Sequence, residues 1–282
     1  MITAEVVWFG EPMYELSDID SMLRAPEEEL RQNIARSLGS STVTLFAVFD
    51  DHGKDRLELA GSGSLVCVDD GYYVLTAAHV WEAVLKSAVK MGITLTDNIN
   101  HQHLMDVATI VPTMFKPDGS VWNEWGPDLA LLRIPLEHVG GIKAFHVFED
   151  LKYPPKALNV ECLECFIVMG TPKELGTFTQ SHAEVQIIGR FIDPKPHEHG
   201  EYDYFDFQMD TTAPGMPKSL GGLSGGGLWR VLVYCSPETG KIDWAQRLKG
   251  AAFFEFPLEN GYRVIRCHGP KSIAALAGLV TG

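Results

Sequence analysis

Residues 42–77 read TVTLFAVFDDHGKDRLELAGSGSLVCVDDGYYVLTA, and this stretch decides the fold class. It contains three runs rich in apolar and β-branched residues, TVTLFAVF, SGSLVCV and YYVLTA, which are separated by polar stretches that include DDHGKD and DDG. Short runs of this kind, separated by aspartate- and glycine-rich turns, predict successive antiparallel strands. The sequence therefore indicates an all-β barrel or sandwich.

A second group of strand-like runs lies in the C-terminal half of the chain. Its members are VECLECFIVMG, TQSHAEVQIIGRFI, YDYFDFQMD, GGLWRVLVY, KGAAFFEF and YRVIRCH. Between the two groups, VFEDLKYPPKALN contains two prolines and little apolar alternation, which is typical of a linker. We therefore predict a first β unit over residues 41–147, a linker over 148–158 and a second β unit over 159–282.

Helices are expected only near the two ends of the sequence. Residues 1–40 form an acidic leader in which Leu30, Ile34 and Leu38 recur at helical spacing, so one amphipathic helix is predicted there. The final PKSIAALAGLV starts with a proline and continues with good helix formers. It predicts a short C-terminal helix.

Composition and charge limit the class of partner. Hydrophobic residues make up 45% of the chain and charged residues 21%, a globular balance, while the formal net charge of -14 repels phosphates and anionic membranes. Neither nucleic acid nor a membrane is expected as a partner. The sequence has no run of about 18 apolar residues and no signal-like start. Five cysteines without a framework spacing favour reduced thiols and a cytoplasmic location.

Three short segments contain side chains of the types that take part in catalysis. His79 lies at the end of VLTAAHV, Asp128 opens the apolar run of GPDLALLRIP, and Ser224 lies among glycines in GGLSGGGLW. Each segment alone also fits a simpler structural interpretation: a strand end, an ordinary buried strand and a flexible turn. Their joint occurrence in this order is the stronger signal.

Serine, histidine and aspartate are the residue types that nucleophilic acyl transfer requires. A serine hydroxyl becomes a good nucleophile when an imidazole accepts its proton, and a carboxylate orients that imidazole. Glycines beside the serine allow a tight turn whose backbone N–H groups can bind a developing oxyanion. The N–H groups of Gly222 and Ser224 are the predicted donors.

The segments TAAH, DLALL and GLSGG, in this order, resemble the trypsin-like (chymotrypsin-fold) serine peptidase family over roughly residues 42–281. The resemblance implies two six-stranded antiparallel barrels with the site in the cleft between them. It implies His79, Asp128 and Ser224 as a catalytic triad, a protein or peptide substrate, and no cofactor or metal. The absence of a disulfide framework is closest to the bacterial-type branch of that family.

Some positions depart from the family pattern. Leu223 stands where activated zymogens carry an acidic residue, so activation by insertion of a new N-terminus is not expected. Phe253 stands where a serine often supports the catalytic aspartate, so fewer hydrogen bonds to Asp128 are expected. A catalytically silent module that keeps the peptide cleft is the alternative to an active peptidase. A protease in a cytoplasm cannot cleave its host's proteins freely, so control by a regulatory protein partner, by restriction to a specific site or by the acidic leader is expected.

The resemblance also indicates a substrate pocket formed by Lys218, Phe253, Phe254 and Glu255. Lys218 lies six positions before Ser224, at the predicted base of the pocket. A buried ammonium there would need an anionic partner, which an acidic substrate residue could supply. Alternatively, Lys218 points to solvent or pairs with Glu255, and cleavage follows aliphatic or aromatic residues.

Metal binding is not expected from the remaining motifs. The pair Cys162 and Cys165 lacks a second pair at zinc-site spacing, and it is interpreted as two incidental thiols. Two HxH pairs, His101 with His103 and His197 with His199, lie in polar stretches of the sequence and are predicted to be solvated loop residues.

Overall fold

The computed structural model describes residues 16–24, 29–95, 102–117, 121–152, 160–178 and 183–281. Two helices, α1 (Leu16–Arg24) and α2 (Glu29–Gly39), precede the first strand. The buried residues of α2 are Leu30, Ile34 and Leu38, which confirms the predicted amphipathic helix. The helix α1 was not predicted. The first part of the predicted leader, residues 1–15, lies outside the described residues.

The first sheet is formed by strands from residues 42–150. These are β1 (Thr42–Asp51), β2 (Lys54–Val68), β3 (Gly71–Thr76), β4 (Lys90–Thr94), β5 (Gln102–Asp106), β6 (Val111–Phe115), β7 (Leu129–Arg133) and β8 (Glu149–Asp150). Their order is β5-β4-β1-β2-β3-β7-β6, all antiparallel, and β8 adds to β2 in parallel. Two short helices, α3 (Ala78–Ala83) and α4 (Leu136–Lys143), follow β3 and β7.

The second sheet is formed by strands from residues 162–268. These are β9 (Cys162–Gly170), β12 (Ile188–Ile192), β13 (Lys195–His199), β14 (Tyr202–Asp210), β15 (Gly227–Cys235), β16 (Ile242–Glu255) and β17 (Tyr262–His268). Their order is β12-β9-β15-β16-β17-β14-β13, again antiparallel. A separate pair, β10 (Thr177–Phe178) and β11 (Ala183–Glu184), lies between β9 and β12 in the chain, and α5 (Pro270–Gly278) is the predicted C-terminal helix.

The strand pairing establishes an all-β fold with two antiparallel sheets and few helices. Among the described strands, no pairing joins β5 to β6, or β12 to β13, so neither sheet closes on itself by the hydrogen bonds observed. The first sheet contains eight strands and the second seven, where six were expected in each.

The predicted linker is in part a strand. Glu149 and Asp150 pair with Val66 and Cys67 of β2, because the end of β2 offers free backbone groups to a passing segment. Residues 153–159, which contain the two prolines, lie outside the described residues. No helix in the described part of the chain is long and apolar enough to span a membrane.

One hydrophobic core joins the two sheets and both terminal helices. Leu131 of β7 packs in the same buried cluster as Trp229 of β15, Ile34 of α2 and Leu276 of α5. Burying side chains of this size stabilises the fold by about 1.5–3 kcal/mol each. The shared core therefore packs β7, the strand directly after Asp128, against β15, the strand that follows Ser224.

Candidate active site

His79 is positioned by the end of β3 and the start of α3. Thr76, the last residue of β3, donates its hydroxyl to the Ser62 carbonyl at 2.8 Å. Ala77 and Ala78 are fully buried, so small residues are needed where the chain turns into the helix. His79 follows in the first turn of α3, and 27% of its side chain is exposed.

Asp128 lies directly before β7 and holds His79 by both carboxylate oxygens. Oδ1 accepts the His79 backbone N–H at 2.9 Å, and Oδ2 lies 2.6 Å from His79 Nδ1. A carboxylate oxygen is an acceptor, so Nδ1 carries the proton and Nε2 of a neutral imidazole is left to accept one. The pair therefore has the tautomer and orientation that a general base requires.

Ser224 lies on a turn between glycines that carries the chain into β15. Gly222 and Gly225 have φ of +97° and +86°. A Cβ on Gly225 would lie 2.0 Å from the Ser62 carbonyl oxygen and 2.1 Å from Thr76 Oγ1. Glycine is required at Gly225 by both its backbone conformation and its contacts.

The turn carrying Ser224 meets the segment carrying His79 over Gly61 of β2. A Cβ on Gly61 would lie 2.9 Å from the Ser224 carbonyl oxygen and 2.8 Å from Cγ2 of Val80, the residue after His79. The Ser224 carbonyl also accepts the Ser62 N–H at 2.8 Å. The structure thus brings the three predicted triad segments together, although they are far apart in the sequence.

The backbone N–H groups of Gly222 and Ser224 are the predicted oxyanion donors. The neighbouring N–H groups of Leu223, Gly225 and Gly226 all donate to backbone carbonyls. Within the described residues, no hydrogen bond takes up the N–H of Gly222 or that of Ser224. Both N–H groups are therefore without a partner in the part of the chain that the structure describes.

His268, at the end of β17, contacts Asp128 and was not singled out from the sequence. Its Nε2 accepts the Asp128 backbone N–H at 3.0 Å. Burial lowers the pKa of His268 to about 4, against the smaller opposing effects of the carboxylates of Asp128 and Asp203. The only local signal was a histidine at the end of the strand-like run YRVIRCH, and such a signal does not indicate its partner.

Phe253 stacks on His268, with ring centroids 4.3 Å apart and planes at 23°. Fewer hydrogen bonds to Asp128 were expected from a phenylalanine at this position. At the Asp128 carboxylate, both hydrogen bonds among the described residues come from His79, and a third bond joins the Asp128 backbone N–H to His268. Phe253 thus packs on the ring that accepts the Asp128 N–H.

A small cavity of about 30 Å³ opens beside Ser224. Besides Ser224, its lining consists of Leu220, Gly221, Leu223, Ala252, Phe253, Phe254, Glu255 and Ile265. Three of the four predicted pocket residues therefore line it. Lys218 does not, because its backbone is held elsewhere: its N–H donates to Glu174 at 2.7 Å and the residue is exposed.

Glu255 carries a charge at this cavity but does not pair with Lys218. Its Oε1 lies 2.8 Å from Nε of Arg263 and accepts the Leu220 N–H at 3.2 Å. The Glu255 carboxylate thus forms an ion pair with Arg263 on β17. Lys218 is exposed and does not line the cavity, so it does not supply a buried ammonium for an acidic substrate residue.

His103 lies in strand β5, and His197 and His199 lie in strand β13, where loops were predicted, because each of these runs pairs with an antiparallel neighbour. His103 Nε2 lies 3.0 Å from His138 Nδ1, and His197 Nε2 lies 3.1 Å from Asp206. His101 lies outside the described residues. In the part of the chain that the structure describes, no group of three or more metal-ligating side chains occurs, and all five cysteines are free thiols.

No protein-family model matches the chain, and no curated protein matches its sequence. Solved structures do match. One of them, reported under the heading "Aromatic interactions drive the coupled folding and binding of the intrinsically disordered Sesbania mosaic virus VPg protein", aligns with 86% of this chain and 97% of its own. The identity is 14% and the TM-score 0.40.

Proposed function

We propose that the chain is a serine endopeptidase with His79, Asp128 and Ser224 as its triad. The observation that carries the proposal is the His79–Asp128 pair at 2.6 Å, beside a glycine turn that presents Ser224 with two available N–H donors. In this interpretation the two sheets are the two halves of a chymotrypsin-like fold. The first supplies His79 and Asp128, and the second supplies Ser224.

The proposed reaction passes through an acyl-enzyme. Ser224 Oγ attacks the scissile carbonyl while His79 Nε2 takes its proton, and the N–H groups of Gly222 and Ser224 bind the oxyanion. The C–N bond then breaks, and His79 gives its proton to the departing amine. Water, deprotonated by His79, hydrolyses the ester, and the proton returns to Ser224 as the acid is released.

A peptide substrate is favoured by a free strand edge next to Ser224. The pairing of β16 with β15 ends at Ala251, whereas its pairing with β17 continues to Glu255. Residues 253–255 thus have one edge without a partner among the described strands. An extended peptide can add to such an edge by main-chain hydrogen bonds. A cytoplasmic location and a regulatory partner stay predictions from the sequence.

The test is active-site labelling with a fluorophosphonate, which reacts with an activated serine. The wild-type chain should be labelled at Ser224, and Ser224→Ala should lose labelling while keeping its far-UV spectrum. Ser87→Ala removes an exposed serine and is the matched control, which should label as the wild type does.

A peptide library then separates the two candidate activities. Labelling with peptide cleavage supports the endopeptidase. Peptide binding without labelling or cleavage would favour the silent binding module instead.

A further inference from the structure

We propose, resting on the proposed function, that His268 is a positioning residue for the triad. It acts through the Asp128 backbone: Nε2 of His268 accepts the Asp128 N–H at 3.0 Å, and the Asp128 carboxylate in turn holds both the backbone and the ring of His79. His268 itself makes no described hydrogen bond to His79 or Ser224.

The ring of His268 is immobilised by aromatic neighbours. It is completely buried, with Phe253 stacked on it at 4.3 Å, Tyr204 tilted against it at 5.2 Å and Tyr202 edge-on at 5.8 Å. A Cβ on Gly126 would lie 3.1 Å from Nε2, so the ring also packs against the segment before Asp128. The acceptor atom therefore has a single location.

Only the neutral ring can serve as this acceptor. Because Nε2 accepts a hydrogen bond, the proton of the neutral ring lies on Nδ1. Protonation of Nε2 would place an Nε2–H donor opposite the Asp128 N–H donor. Nδ1 has no hydrogen-bond partner within the described residues. A buried donor without a partner costs stability, and an apolar side chain at this position would avoid that cost. The Asp128 contact gives a reason for a histidine here.

The second sheet holds the whole segment that leads to Asp128. Tyr204 donates its hydroxyl to the Trp125 carbonyl at 2.5 Å, and Arg266 Nη1 donates to the Glu124 carbonyl at 2.9 Å. His268 is the last of these anchors and the one that contacts Asp128 itself. The position of the carboxylate thus depends on β14 and β17, although His79 and Asp128 belong to the first sheet.

The test compares three substitutions that differ in the acceptor they offer. His268→Gln places an amide oxygen close to the Nε2 position, His268→Asn places it about one methylene short, and His268→Phe fills the space without an acceptor. Cys267→Ala is the control for loss of packing on the same strand, since Cys267 is buried in a different cluster from Phe253 and Tyr204, the neighbours of the His268 ring. The readouts are kcat, KM and the downfield proton resonance of His79 Nδ1–H.

We expect kcat to fall roughly ten- to hundredfold in His268→Phe and His268→Asn, because displacement of a catalytic group by about 1 Å has an effect of that order. The KM should change less than kcat, since among the described ring contacts Phe253 alone of the cavity residues stacks on His268. The His79 resonance should shift or broaden in both variants. His268→Gln should restore both readouts, and Cys267→Ala should leave them as in the wild type.

The proposal and the proposed function fail separately. A His268→Phe or His268→Asn chain that folds with wild-type kcat and an unchanged His79 resonance overturns the role of His268 and leaves the peptidase standing. If the wild type neither cleaves nor labels, the peptidase fails, and the resonance still decides whether His268 positions the pair. Equal losses in the Gln and Asn variants would also contradict the proposal.

Discussion

Ser62 of β2 binds the turn of Ser224 at two points. Its backbone N–H donates to the Ser224 carbonyl at 2.8 Å, and its hydroxyl donates to the Gly222 carbonyl at 2.8 Å. The candidate nucleophile and oxyanion donors are therefore positioned by a strand of the first sheet, although they belong to the segment that leads into the second.

Ser62→Ala is expected to lower both stability and the rate of acylation. The hydroxyl also accepts the Thr171 N–H at 2.8 Å. Its removal therefore leaves the buried Thr171 N–H and the Gly222 carbonyl without this partner. The cost should be about 1–3 kcal/mol in urea unfolding. The rate of fluorophosphonate labelling should fall, because the Gly222 peptide is freed to rotate.

The matched control for this prediction is Ser64→Ala, two residues further along β2. Ser64 is equally buried, but its hydroxyl has no hydrogen-bond partner among the described residues. Its loss should be neutral or stabilising and should leave labelling unchanged. Equal effects of the two substitutions would show that the Ser62 hydrogen bonds do not matter.

Gly225→Ala should destabilise the fold by about 3 kcal/mol or more and abolish labelling. Its φ is +86°, and the added Cβ would collide with Ser62 and Thr76 at 2.0–2.1 Å. Gly240→Ala is the control, since Gly240 has φ of +69° with no atom within 4 Å. It should cost about 1 kcal/mol and keep labelling. Thermal denaturation and labelling of both variants check this, and a well-folded, labelled Gly225→Ala chain would contradict it.

Stability should decrease as the pH is lowered, and part of that decrease should depend on His268. The pKa of its ring is about 4 in the fold against an ordinary 6.5, so below pH 6.5 the unfolded chain binds a proton that the folded chain refuses. The contribution is fully present above the ordinary pKa and is lost as the pH falls towards 4. Between pH 7 and pH 5 the loss should be about 2 kcal/mol.

Urea unfolding at the two pH values measures this loss, with His268→Gln as the variant that lacks the titrating ring. Its stability should vary less with pH than that of the wild type. His52→Gln replaces a fully exposed histidine and should keep the wild-type slope. Equal slopes for the wild type and His268→Gln would mean that the buried ring contributes nothing to the pH dependence.

Substrate preference should favour small side chains before the scissile bond. The cavity beside Ser224 is small, about 30 Å³, and Ile265 lines it. Ile265→Ala should extend cleavage to larger apolar side chains, and Lys218→Ala should change nothing. Ile188→Ala removes the same atoms from the same buried cluster away from the cavity, so it controls for destabilisation.

A peptide-library profile of the four chains checks this prediction. A preference for acidic residues that Lys218→Ala removes would contradict it and would restore the specificity role first expected for Lys218. A shift in preference in Ile188→Ala would attribute the effect to loss of stability.

Local pattern determined the parts of this protein that depend on nearest neighbours. The apolar and β-branched runs from Thr42 onward, separated by turn residues, predicted strands. The spacing of Leu30, Ile34 and Leu38 predicted α2, because side-chain direction in a helix follows its period. The segments carrying His79, Asp128 and Ser224 were singled out by their joint order and its resemblance to the trypsin-like peptidases, since each segment alone also fits an ordinary strand end, strand or turn.

Tertiary structure alone decided which of these residues meet. The contacts of Asp128 with His268, of Ser224 with Ser62 and of Glu255 with Arg263 join residues on different strands or turns. Such contacts depend on strand order and register, and a shift of one residue turns every side chain of a strand to the opposite face. No local pattern specifies that register, so the support of Asp128 and the exclusion of Lys218 from the cavity could be read only from the folded chain.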